Sequence, residues 1–96
     1  MTRHHYFHTD HAGHSITVGV RTGLSPEVEL LVDGKPVGYR HHHGEDATVL
    51  SSDLPLDPAQ PFEVHLAHLR HATRELSCTL VLDGRETPMP ERPLVM

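Results

Sequence analysis

Apolar and polar residues alternate with a period of two along much of the chain. Ile16, Val18 and Val20 alternate with Thr17, Gly19 and Arg21; Phe62, Val64 and Leu66 alternate with Glu63, His65 and Ala67. Successive side chains of a strand point to opposite faces, so this pattern predicts strands with one buried face. Leu30-Leu31-Val32-Asp33-Gly34-Lys35 is echoed further on by Leu80-Val81-Leu82-Asp83-Gly84-Arg85. Asp-Gly between apolar runs predicts a type I′ hairpin turn, which needs two residues at positive φ. A two-residue loop then sets the register. Val32 faces Lys35, Leu30 faces Val37 and Val28 faces Tyr39. In the second copy Leu82 faces Arg85, Leu80 faces Thr87 and Cys78 faces Met89.

Thr48-Val49-Leu50 and Leu94-Val95-Met96 each offer an edge strand, one to each unit. The pattern therefore predicts a mostly β fold, a small antiparallel β-sandwich or barrel of about 7–8 short strands built from two similar hairpin units. One domain covers 1–96: a His-rich N-terminal arm over 1–14, a first hairpin unit over 15–50, a Pro-rich connector over 51–61, and a second hairpin unit with a Pro-rich tail over 62–96. An α+β fold with one helix around 58–76 competes. Asp57 would be its N-cap, Pro58 its first residue and Gln60 its capping-box partner, while Phe62, Leu66, Leu69, Thr73 and Leu76 share a helical face. Pro61 in the first turn and the echo of the first half favour the strand.

Composition narrows the core and the partners. There is no Trp, and Tyr6, Phe7, Tyr39 and Phe62 are the aromatic residues, so Leu and Val must fill the interior. A chain of this size buries about two-thirds of its unfolded surface, which makes for a thin core. The formal charge is −5 with histidine neutral, and protonating all 11 histidines would bring it to +6. The acidic balance at neutral pH argues against nucleic acid and against an anionic membrane surface. Apolar runs are too short for a membrane span, and the first residues lack a secretory leader, so the expected location is cytoplasmic. Cys78 is the only cysteine, which leaves no intramolecular disulfide and no Cys-based zinc site. It falls on the predicted buried face of its strand. No phosphate loop, dinucleotide fingerprint or Gly-x-Ser-x-Gly elbow is present, and the balance leans away from an enzyme.

The chemistry that stands out is histidine. Three groups exist: His4, His5, His8, His11 and His14; His41, His42 and His43; His65, His68 and His71. Neutral imidazole ligates zinc, nickel and copper. A spacing of three places side chains on one edge of a 3₁₀ or polyproline II turn, so the first group could wrap one ion. His8, His11 and His14 are the expected ligands, with His5 and Asp10 as alternates; His41 and His43 form a secondary clip. The leading expectation is a small binding domain that takes zinc, nickel or copper through its N-terminal histidines. The alternative is an interaction or structural module with incidental histidines, meeting a protein partner or a second copy through a sheet edge. A small metal-dependent enzyme is a third reading, which needs a pocket with an open coordination position.

Three resemblances bear on this. His8-Thr9-Asp10-His11 resembles part of the His-x-His-x-Asp-His signature of the metallo-β-lactamase-like hydrolases. Tyr6 stands where its first histidine would be, and 96 residues are too few for that fold. What carries over is that His8, Asp10 and His11 could meet at one ion. The chain has no Asn, one Lys and one Ile, a bias of high-GC coding. With HHYFHTDHAGHSITV, ELLVDGK and LDGRETPMPERPL, it resembles small uncharacterised proteins of actinomycete type, and that resemblance implies no activity. The doubled Asp-Gly hairpin resembles the β-sandwich of the Fas-apoptosis-inhibitory molecule family in topology alone.

Overall fold

A computed structural model describes residues 3–23, 25–41, 47–69 and 76–92, excepting the Arg3 side chain. Those residues form a β-sandwich of nine strands: β1 (Arg3–His11), β2 (His14–Thr22), β3 (Glu27–Val32), β4 (Lys35–His41), β5 (Thr48–Leu54), β6 (Gln60–Ala67), β7 (Ser77–Leu82), β8 (Arg85–Pro88) and β9 (Glu91–Arg92). Two antiparallel sheets result, one ordered β4-β3-β2-β1-β9 and the other β5-β6-β7-β8. Each is an up-and-down meander, and only β9 returns to the first sheet, where it pairs with β1.

Period-two alternation puts one face of each sheet into a shared core. Phe7, Ile16, Val18, Val20, Val28 and Leu30 come from the first sheet; Leu50, Leu54, Phe62, Val64, Leu66 and Leu80 come from the second. Three of the hairpins turn on two residues at positive φ, Ala12-Gly13, Asp33-Gly34 and Asp83-Gly84. Glycine takes the second place of each because it has no Cβ to clash there. Residues 60–67 are strand, not helix: Phe62, Val64 and Leu66 are buried while Glu63 is exposed between them.

Four expectations change. The His-rich arm is β1, paired along its whole length with β2. The connector is shorter than 51–61, because β5 and β6 claim both of its ends. Thr48-Val49-Leu50 opens β5, which pairs with β6 in the second sheet and not with the first hairpin unit. The β3–β4 register holds at Val32–Lys35, then shifts at a bulge between Leu30 and Leu31, so Leu30 faces Gly38 and Val28 faces Arg40. An extra residue in one strand flips every side chain beyond it, which leaves Val37 and Tyr39 exposed. The second Asp-Gly hairpin keeps its predicted register at Leu82–Arg85 and Leu80–Thr87. Cys78 then meets Met89, whose N–H donates to the Cys78 carbonyl at 2.9 Å. Leu94-Val95-Met96 lies outside the described residues.

Candidate metal centre

The β1–β2 pairing decides which N-terminal histidines can meet. Phe7 faces Val18, Thr9 faces Ile16 and His11 faces His14 on the core side of the sheet. Tyr6, His8 and Asp10 lie on the opposite, outer side, against Gly19, Thr17 and Ser15. A spacing of three is odd, so in a strand His5, His8 and His11 alternate between faces. His5 shares the inner face with His11 but sits six residues away, about 20 Å along the strand. The structure thus brings His11 and His14 together and separates them from His8, Asp10 and His5.

Each separated histidine has other work. In its neutral form the His8 ring donates from Nε2 to Asp10 Oδ1 and accepts at Nδ1 from the Thr17 hydroxyl, both at 3.1 Å. A carboxylate can only accept, which assigns the proton to Nε2. Both ring nitrogens are occupied. His5 donates from Nδ1 to Glu91 Oε2 at 2.8 Å and ties β1 to β9. His41 ends β4 opposite Glu27, at the end of the sheet away from the Asp33-Gly34 turn. His43 lies outside the described residues. In the second sheet His65 lies on the outer face beside Val49 and Thr79, its Nε2 3.0 Å from Glu63 Oε1. It borders a shallow, open depression of about 490 Å³.

His11 and His14 flank the Ala12-Gly13 turn. Directly opposed residues of an antiparallel pair have Cβ atoms about 4.5–5.5 Å apart, close enough for two side chains to reach one ion. The His14 ring is held: Nδ1 donates to Asp33 Oδ2 at 2.7 Å. Asp33 is itself pinned, since its Oδ1 accepts from the Ser15 N–H at 3.0 Å and its own N–H donates to the Ser15 carbonyl at 2.9 Å. The hydrogen bond from His14, then that from Ser15, holds the Asp33 carboxyl below its ordinary range. Donation from Nδ1 leaves His14 Nε2 as the nitrogen with the free lone pair, the arrangement that orients ligating imidazoles in many metal sites.

Asp33 was legible in the sequence only as a turn residue. The signal for its second role is topological: β1–β2 and β3–β4 turn at the same end of one sheet, so the residue opening the second turn meets the residues following the first. Among the described residues, no three His, Cys, Asp or Glu side chains converge to hold a metal ion. The hairpin tip is a two-imidazole clip with a carboxylate behind it.

Among the described residues, other titratable groups hold elements of the fold together. On the outer face Glu27 binds Arg21 at 2.8 Å and accepts from the Tyr39 hydroxyl at 2.8 Å, which pushes the Tyr39 pKa up. Cys78 is buried with its Sγ 3.6 Å from Met89 Sδ, and desolvation pushes the thiol up to about 12. Compared with known proteins, the chain matches no family model, no curated protein and no solved structure. Any function must therefore be argued from these side chains.

Proposed function

We propose that this chain is a small binding domain that takes a transition metal at the tip of the β1–β2 hairpin, through Nε2 of His14 and the His11 imidazole. The observation that supports it is the His11–His14 pair with Asp33 behind it, since a carboxylate accepting from Nδ1 fixes the tautomer and orients Nε2 for an ion. Two neutral nitrogen donors suit zinc, nickel or copper and leave coordination positions for water or a further ligand. His8, Asp10 and His5 lie outside this clip.

The test is a zinc titration of tag-free protein at pH 7.5, followed by amide and imidazole NMR signals. His11, His14 and the Asp33 amide shift together and saturate, His8 stays still, and His11→Ala removes the response. Affinity falls as the pH is lowered, because protonated imidazole cannot ligate. Weak, unsaturable shifts spread over many histidines would sink the reading.

A further inference from the structure

Two imidazoles are half of what a four-coordinate ion takes from nitrogen ligands. Among the described residues nothing supplies the other half. The shape of the tip suggests where it comes from. Ala12 and Gly13 are exposed, and a Cβ built on Gly13 would meet nothing within 4 Å. Small turn residues leave the approach to His11 and His14 open, and no bulky side chain stands on the turn to hold another molecule away. The nearest carboxylate, Asp33, already accepts two hydrogen bonds, one from His14 and one from the Ser15 N–H.

We propose that a second copy of this chain completes the site: two hairpin tips meet about a two-fold axis and hold one zinc-class ion between the His11–His14 pair of each. The proposal rests on the metal reading above and adds its partner and stoichiometry. A two-fold contact needs a surface that matches itself, and a ligand pair on a projecting turn does so at once, each copy giving the same two nitrogens. Each copy carries a formal charge of −5, which opposes association of the bare chains. A divalent ion between the tips puts positive charge where the two molecules come closest. Zinc would then stabilise the pair by mass action, since the four-imidazole site exists only in the dimer.

This arrangement has a dose dependence that simple binding lacks. At half an equivalent of zinc every ion can be shared by two tips. At large excess each tip can keep its own ion, with water filling the remaining positions, and the pairs come apart. Dimer population therefore peaks near half an equivalent and declines beyond it.

The experiment is sedimentation equilibrium of the full chain at pH 7.5 with zinc chloride alone, from none to tenfold excess, alongside calorimetric stoichiometry. The expected result is a mass rising from 10.7 kDa to about twice that near half an equivalent, reversed by EDTA. Both are lost in His11→Ala, with circular dichroism checking that the variant folds. Asp33→Asn, which keeps an acceptor but removes the charge, weakens the response. Zinc bound one to one by a monomer overturns the pairing and leaves the metal reading standing. Zinc not bound at the tip overturns both. A dimer that persists in EDTA or survives His11→Ala overturns the assignment of the contact to this hairpin.

Discussion

Replacing Val37 and Gly38 one at a time tests the bulge in β4. An unbroken β3–β4 register would set Val37 opposite Leu30 on the buried face. The bulge sets Gly38 there instead, and Val37 is 43% exposed. In Val37→Lys the stem covers the surface that valine covered and the ammonium stays in water, so the expected cost is under about 0.5 kcal/mol. Were Val37 in the core, the same change would bury a charge and cost several kcal/mol. Gly38 behaves the other way. A Cβ there would lie 3.5 Å from Leu30 Cβ and 3.8 Å from Leu50 Cδ2, ordinary contact with both sheets. Gly38→Ala is therefore tolerated, whereas Gly38→Leu drives three more carbons into a filled space and costs about 1–3 kcal/mol. A chain of this length has about 5–14 kcal/mol of stability in all. With a urea m-value of about 1 kcal/mol/M, Gly38→Leu lowers the midpoint by about 1–3 M and Val37→Lys barely moves it. Urea unfolding followed by far-UV circular dichroism measures both. A Val37→Lys variant losing more than about 2 kcal/mol beside an unaffected Gly38→Leu would refute the bulged register.

Two further outcomes follow from titratable groups. Asp33 is lowered in the folded state, first by His14 and then by Ser15, so its contribution is complete above the ordinary value of 3.8 and is lost as pH falls through the depressed one. Stability of the wild type should thus fall more steeply below about pH 4 than that of Asp33→Asn, and equal acid slopes in thermal melts would count against the clamp. Cys78, pushed up to about 12 by desolvation, stays a buried thiol at pH 8. A thiol reagent should label it only as fast as the protein unfolds, so labelling at the rate of a small free thiol would contradict its place in the core.

Much of the fold was legible because period-two alternation is a direct record of which face is buried. Ile16, Val18 and Val20, and likewise Phe62, Val64 and Leu66, read correctly as inner faces. Both Asp-Gly turns formed, and the second hairpin kept its register as far as Cys78 and Met89. The bulge was not legible, since one extra residue in an edge strand leaves no mark when Pro36, Val37, Gly38 and Tyr39 suit either phase. Nor was β1, whose single core residue is Phe7 among four histidines and an aspartate. A hydrophobicity pattern sees no strand there; the pairing with β2 and the Ala12-Gly13 turn define it. Asp33 was hidden for another reason, because its partners lie in a strand that reaches it only through the sheet.

The way β1 folds also explains why the spacing of its histidines overstates their reach. In a flexible arm, a repeat of three could gather His5, His8, His11 and His14 on one ion. Fixing that arm as a strand replaces the period of three by a period of two, and the set falls apart into His8 on one face and His5 and His11 on the other. What survives is the contact that the turn imposes. A two-residue loop opposes its flanking residues directly, so His11 and His14 meet because Ala12-Gly13 is a tight turn, whatever the rest of the strand does. The sheet's edges favour the same location. β4 is blunted by its bulge, by Pro36, and by Lys35 and Arg40, features that discourage another strand from adding there. β5 has none of these and runs in unbroken register with β6, and adding a strand along it would join backbone groups, which needs no zinc. Zinc dependence therefore separates the two ways this sandwich could meet a second copy. An association that needs the ion and His11 belongs to the hairpin tip; one that needs neither belongs to an edge.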